Sequence, residues 1–223
     1  MEASHTFFPI DLIVSCIDPE LGNPDSPKTY IEDMEKVKPV QKLIGPYYAG
    51  LDLGKQMDYS VLVVVQKSPN GEVRLMHKRQ FPLGTGYPEV IGYVARAQQV
   101  FNFESLHVDK GGIGDAIVDE LYNIQVRGVQ GVFFTETEKE GMLNNLKLLM
   151  EKRLLKIAGD DKTLIAQLNE QQYEYLQPKT AQERIHLKFW HPQGRHDDQL
   201  MALALACRSA QQAAPPGVGA ILP

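Results

Sequence analysis

Hydrophobic positions divide the chain into a regular middle and two irregular ends. From Tyr47, YYAGLDL reads as a buried strand and the β-branched run SVLVVVQ as a second. SPNGE follows, and its Asn-Gly supplies the positive φ of a tight hairpin. EVRLMHKRQF should therefore return antiparallel, with Val73, Leu75 and His77 on one face. YPEVIGYVARAQQVF places Val90, Ile91, Val94, Ala95 and Val100 at helical spacing. ESLHVD then predicts a strand, IGDAIVDELYNI a helix and VQGVFF another strand. TEKEGMLNNLKLLMEKRLL is an amphipathic helix through Met142, Leu146, Leu149 and Met150, and DKTLIAQLNEQQYEYL is expected to be helical too. RIHLKFW alternates as a strand, and HDDQLMALALACRSAQQ closes as a helix. Three antiparallel strands, then strands alternating with helices, predict an α/β fold: a mixed sheet, antiparallel then parallel, with helices on both faces.

The ends lack such periodicity. In residues 1–45, Pro9, Pro19, Pro24, Pro27 and Pro39 interrupt every candidate helix, which predicts an arm or interdomain linker. Its apolar stretch FFPIDLIV needs a cover, so the chain is expected to be the trailing part of a larger protein. Residues 46–211 form the expected domain, and 212–223 a flexible tail.

Composition bounds this picture without deciding function. With 223 residues, 43% hydrophobic and 23% charged, the chain fits one globular domain. Cys16 and Cys207 lack metal-type spacing and indicate neither a disulfide framework nor a zinc ribbon. No run reaches the roughly 18 apolar residues that span a bilayer, and the start lacks a signal peptide's basic flank. The net charge of -5 argues against a simple polyanion coat, yet metal-binding carboxylates give acidic nucleases such a balance while their binding faces stay basic.

Three acidic stretches carry the candidate chemistry. Asp52 in GLDLG ends the first strand, where Gly54 would turn the chain and leave the carboxylate open to a ligand; an Asp before Gly is also an ordinary turn residue. Asp58 in QMDYS could simply cap that turn. Asp109 closes the strand in SLHVDKGGIGD and precedes a glycine-rich turn into a helix, the crevice where open α/β sheets bind ligands, though it could equally cap that turn. Asp197 and Asp198 begin the last helix beside His196; the helix dipole favours one acid there, and a bound cation would relieve the repulsion between two. Acids at neighbouring strand ends, with an acid pair over them, would make a divalent-metal site. Oxygen ligands without a His/Cys cluster favour Mg²⁺ or Mn²⁺, and two such ions would suit phosphodiester hydrolysis.

The ordered series GLDLG(x3)DYSVLVVV, LHVDKGGIGDAIVDEL, TEKEGMLNNLKLLMEKRLLKI and HPQGRHDDQLMALALA resembles the C-terminal nuclease domain of the large terminase subunit of tailed bacteriophages, from about Tyr47 to Ala206. The resemblance implies an RNase H-like fold of the RuvC type and cutting of concatemeric double-stranded DNA with Mg²⁺ or Mn²⁺. It makes Asp52 the first-strand acid, Asp109 the later-strand acid, and Asp197 and Asp198 the C-terminal pair, with Asp58 and His196 in support. It also implies a packaging ATPase domain, a small terminase subunit and a portal as partners, with no membrane, in the cytoplasm of the infected host. No Walker motif occurs in the chain, so the packaging ATPase would lie elsewhere.

A DNA path should be locally basic, which nominates Lys110, Lys147, Lys179, Arg184, Lys188 and Arg195, although each could belong to a solvated face. Two other functions stay open at this point. A non-catalytic module docking DNA or a packaging partner would keep its acids for stability alone. An actin- or sugar-kinase-type ATPase would share the GLDLG phrase, but it needs a second phosphate motif and a second domain.

Overall fold

The computed structural model describes residues 5–21, 46–54, 57–176 and 186–212. The predicted meander forms β2 (Tyr47–Asp52), β3 (Val61–Lys67) and β4 (Val73–Gln80), paired antiparallel. Helix α2 (Tyr87–Phe101) leads to β5 (Ser105–Asp109), parallel to β2, and α3 (Gly114–Asn123) leads to β6 (Val129–Val132), parallel to β5. With β7 (Leu155–Lys156), the six-stranded sheet runs β6-β5-β2-β3-β4-β7. This is the mixed α/β architecture that the hydrophobic pattern predicts.

Strand alternation sorts the side chains into two cores. Leu62 and Val64 of β3, Ala49 and Leu51 of β2, and Leu106 and Val108 of β5 face α2 and α3. Val61, Val63, Val65 and Tyr48 face the other layer, which contains α4 (Glu136–Glu151), α5 (Lys162–Glu170) and α6 (Asp198–Gln212). Helix α6 is buried along nearly its whole length, as expected where its central run LMALALAC is apolar on all sides.

One contact sets where α6 starts. A Cβ on Gly50 of β2 would lie 2.3 Å from the Ala202 carbonyl oxygen and 2.4 Å from the Ala206 nitrogen, so only glycine lets the helix backbone rest on this strand. Asp52 lies two residues beyond Gly50, on the same strand face, and Asp198 lies one helical turn before Ala202. The close approach thus carries the helix start to the strand end. Polar bonds hold that start in place. Gln167 Oε1 on α5 accepts from the backbone N–H groups of Gln199 (2.9 Å) and Leu200 (3.1 Å), which a helix N-terminus otherwise leaves unsatisfied. Lys78 Nζ donates to Gln199 Oε1 at 2.6 Å and ion-pairs with Asp161, and Gln199 Nε2 donates to Gln80 Oε1 at 2.6 Å.

Three expectations are corrected. The predicted helix DKTLIAQLNEQQYEYL stops at Glu170, and Gln172–Leu176 forms β8 instead, the middle strand of a second sheet between β1 (His5–Thr6) and β9 (His186–Trp190), antiparallel to both. Tyr173 and Tyr175 favour a pleated strand, and Gln171 Nε2, buried at the junction, donates to the Trp190 carbonyl at 2.9 Å. His77 does not share a face with Val73 and Leu75. Val64 opposes His77 while Val65 opposes Leu75, so a β-bulge at Met76 turns His77 to the α2 side, where it lies 3.0 Å from Tyr93 Oη. Residues 5–21, expected within an arm, instead pack on the domain. β1 (His5–Thr6) pairs with β8, α1 (Ile10–Val14) follows Pro9, and Phe7, Phe8, Ile13 and Cys16 are buried in the α4–α6 core. Residues 22–45 and the tail 213–223 lie outside the described residues. Among the described residues no helix is long and apolar enough to cross a membrane.

The tight β2–α6 contact gives a direct test: Gly50→Ala should cost about 1–3 kcal/mol or more, because the added methyl meets backbone and not a yielding side chain. Urea unfolding measures this, and an unchanged midpoint would contradict the packing.

Candidate metal centre

Asp52 and Asp109 end adjacent parallel strands. The β2–β5 register pairs Leu51 with Val108, so the next step sets the two acids side by side on the face that α6 covers. Gly54 allows the chain after β2 to fold back, since a Cβ there would lie 2.2 Å from the Asp58 carbonyl oxygen, and its N–H donates to Ser60 Oγ at 3.1 Å. Asp109 Oδ1 accepts from the Gly111 N–H at 2.9 Å, so its turn-forming role is real. A Cβ on Gly114 would lie 2.4 Å from the Asp109 carbonyl oxygen, so this glycine allows α3 to begin close behind the acid.

Helix α6 delivers the acid pair, and its two members meet different surroundings. Asp197 Oδ2 lies 3.1 Å from Lys139 Nζ of α4 and 3.5 Å from His191 Nδ1. Asp198 is 6% exposed, and its Oδ2 is buried with no hydrogen-bond partner among the described residues. His196 Nδ1 lies 3.6 Å from that oxygen and 3.8 Å from Asp58 Oδ1. Asp58, His196 and Asp198 each offer one ligand atom, all within 4.8 Å of one another, a grouping able to hold a cation.

The protonation of these groups records crowded, desolvated carboxylates. Burial, then the charges of Asp109, Asp198 and Asp197, push the Asp52 carboxyl well above its usual range, against the pull of Lys139. Burial also raises Asp109, opposed by the Gly111 N–H. Asp198 rises to about 6 through burial, with the Tyr59 N–H opposing and the Asp197 charge adding to it. Burial acts on Asp197 in the same sense, yet His191 and Lys139 outweigh it and hold this carboxyl down at about 2. A buried carboxyl oxygen without a donor, among mutually repelling acids, is what a hard divalent cation neutralises, and carboxylate oxygens suit Mg²⁺ or Mn²⁺.

The structure therefore brings Asp52, Asp109, Asp197 and Asp198 into one electrostatic cluster, with Asp58 and His196 beside Asp198. The basic candidates are dispersed. Lys110 pairs with Asp115 at 2.8 Å, Lys188 with Glu174 across β8–β9 at 3.7 Å, and Arg195 with Glu170 at 3.4 Å. Lys147 sits 4.4 Å from the Phe7 ring centroid, two turns and about 12 Å along α4 from Lys139. Lys179 and Arg184 lie outside the described residues. Sequence reasoning missed Lys139 and His191. The only signal was the first histidine of HPQGRHDD, and nothing in the α4 periodicity marks one lysine among several.

No protein-family profile matches the chain. The large terminase subunit of Thermus virus P23-45 is 30% identical over 167 residues, covering 72% of this chain and 31% of that protein; the chain thus spans about a third of the curated relatives it matches. The large terminase nuclease from thermophilic phage G20c superposes with a TM-score of 0.60 at 25% identity, over 76% of this chain and 83% of that one. The same nuclease with bound magnesium matches with a TM-score of 0.59 at 26% identity, over 73% and 80%. The chain is thus similar in sequence to the large terminase subunit of one Thermus phage and in both sequence and fold to the large terminase nuclease of another, and it resembles the nuclease domains of bacteriophage large terminase subunits.

Proposed function

We propose that the chain is a metal-dependent endonuclease domain that hydrolyses phosphodiester bonds of concatemeric double-stranded DNA during viral genome packaging. The observation that carries this reading is the buried Asp198 Oδ2, without a hydrogen-bond partner among the described residues, in the same electrostatic cluster as Asp52 and Asp109. Asp52, Asp109 and a member of the Asp197/Asp198 pair would supply the oxygen ligands for two Mg²⁺ or Mn²⁺ ions, with Asp58 and His196 in support. When bound, such ions supply Lewis-acid polarisation of the scissile phosphate and activation of the attacking water. The protein's own share is to hold the carboxylates converged, to bury them from competing solvent, and to fix the helix start over the strand ends.

DNA would be held through its phosphates, with little sequence preference. Lys110, adjacent to Asp109, and Arg195, adjacent to His196, are the basic residues nearest the acids along the chain; Lys188, Lys179, Arg184 and Lys147 would extend the path. The same reading implies a packaging ATPase domain, a small terminase subunit and a portal as partners, in the cytoplasm of the infected host cell.

Plasmid DNA incubated with Mg²⁺ or Mn²⁺ should be cut, and chelator should stop the cutting. Asp52→Asn should lower the rate by on the order of 10³-fold or more while the fold survives. Cutting that persists in EDTA, or in Asp52→Asn, would refute the assignment.

Protonation gives a second test. Asp52, Asp109 and Asp198 have folded pKa values above their unfolded ones, so the folded state holds protons that the unfolded chain releases. Their penalty is absent below about pH 4 and grows as pH rises. For Asp198, from 3.8 to about 6, it is on the order of 3 kcal/mol. Asp197 acts oppositely, adding stability above pH 4 that is lost as pH falls towards 2. Calorimetric melting should show that Mg²⁺ raises Tm more at pH 8 than at pH 5. Equal stabilisation at both would contradict a cation replacing those protons.

A further inference from the structure

The acid pair that opens α6 is chemically divided. Asp197 is already answered: Lys139 Nζ stands 3.1 Å from its Oδ2, His191 Nδ1 3.5 Å from the same oxygen, and its backbone carbonyl accepts from the Met201 N–H at 2.8 Å. Asp198 is answered less fully: the Tyr59 N–H bonds its carboxyl and His196 Nδ1 stands 3.6 Å from its Oδ2, but among the described residues no lysine or arginine pairs with it and that buried oxygen has no hydrogen-bond partner. We propose that Lys139 and Asp197 form a charge-balanced positioning pair, which withholds Asp197 from the metal ions and leaves Asp198 as the ligand that α6 contributes. The proposal deepens, and rests on, the metal-centre reading above.

The surroundings of Lys139 support this role. It sits in the first turns of α4, between two residues that anchor the helix. Glu138 pairs with Arg208 of α6, and Glu140 Oε2 accepts from the Leu187 N–H at 3.3 Å and lies 3.1 Å from His186 Nδ1. The lysine backbone is thus held between α6 and β9, and its ammonium reaches Asp197 from a fixed base. The side chains of Lys139 and Asp197 are mostly buried, at 22% and 16% exposure, so water screens the pair weakly. At Asp52 the two charges act in opposite senses, Lys139 favouring the carboxylate and Asp197 opposing it. Intact, the two charges oppose each other in the field of the site. Breaking either member leaves one uncompensated charge, and the sign of the effect depends on which member is lost.

Mn²⁺ affinity, measured by electron paramagnetic resonance on the full 223-residue chain, reads this directly. Lys139→Met should bind Mn²⁺ several-fold more tightly and yet cut DNA more slowly, because the freed Asp197 competes with Asp198. Asp197→Asn should bind about 10-fold more weakly, since the unpaired ammonium then repels the ion. The double variant should return close to the wild-type affinity, and Lys139→Arg should keep both affinity and rate. Asp198→Asn, as the loss of a ligand, should weaken binding far more than any of these. Lys139→Gln serves as a second neutral variant should Lys139→Met melt early. Both single variants shifting Mn²⁺ affinity in the same direction, or a double variant weaker than Asp197→Asn alone, would overturn the proposal. A wild-type chain that binds Mn²⁺ with this pattern but never cuts would refute the nuclease reading and uphold the pair. A wild-type chain that binds no Mn²⁺ would overturn both.

Discussion

The structure depends on how closely helix α6 lies against strand β2. Gly50 has no side chain, and Ala202 and Ala206 have small ones, so the helix backbone rests where any Cβ on the strand would collide. Everything at the site follows from that distance and from two periodicities. The strand repeat of two places Asp52 on the same face as Gly50, and the helix repeat places Asp198 one turn before Ala202. A looser contact would leave the same residues in the same order with their carboxylates apart.

Bringing acids together in a desolvated place is unfavourable unless something answers their charge. Within the chain the answer is uneven: Asp197 receives Lys139 and His191, whereas Asp52, Asp109 and Asp198 are pushed towards their protonated forms by burial and by one another. The Gln167, Gln199, Lys78 and Asp161 network bears on the same point. It satisfies the first N–H groups of α6 with neutral amides and keeps its own ion pair on the α5 side, so the helix start is fixed without placing a cation on Asp198. Stability and function pull against each other here, as expected where a site is built to receive an ion that the polypeptide does not supply.

The parts legible in the sequence are those written in local pattern. The strands around Asp52 and Asp109 are continuous apolar runs because both faces are covered, and the acids mark their ends. The Gly-Arg-His-Asp-Asp stretch before an alanine-rich helix announced both the acid pair and the helix able to approach a strand closely. What stayed hidden is set by tertiary contact. The bulge at Met76 reverses the face of His77 with no change in the hydrophobic pattern. Tyr173 and Tyr175 could extend a helix or alternate along a strand, and it is β9 and β1 that decide between them. Lys139 stands 58 residues from Asp197, and its role exists only because α4 crosses the start of α6.

The central claim is that Asp52, Asp109 and Asp198, distant in sequence, share divalent cations. Crystals of the chain soaked in Mn²⁺, with anomalous scattering recorded near the manganese edge, test it most directly. Anomalous peaks are expected within coordination distance of Asp52 oxygens, joined by Asp109 and Asp198, while Asp197 stays on Lys139. Manganese absent from those carboxylates at saturating concentration, or bound elsewhere with the three left unligated, would contradict it.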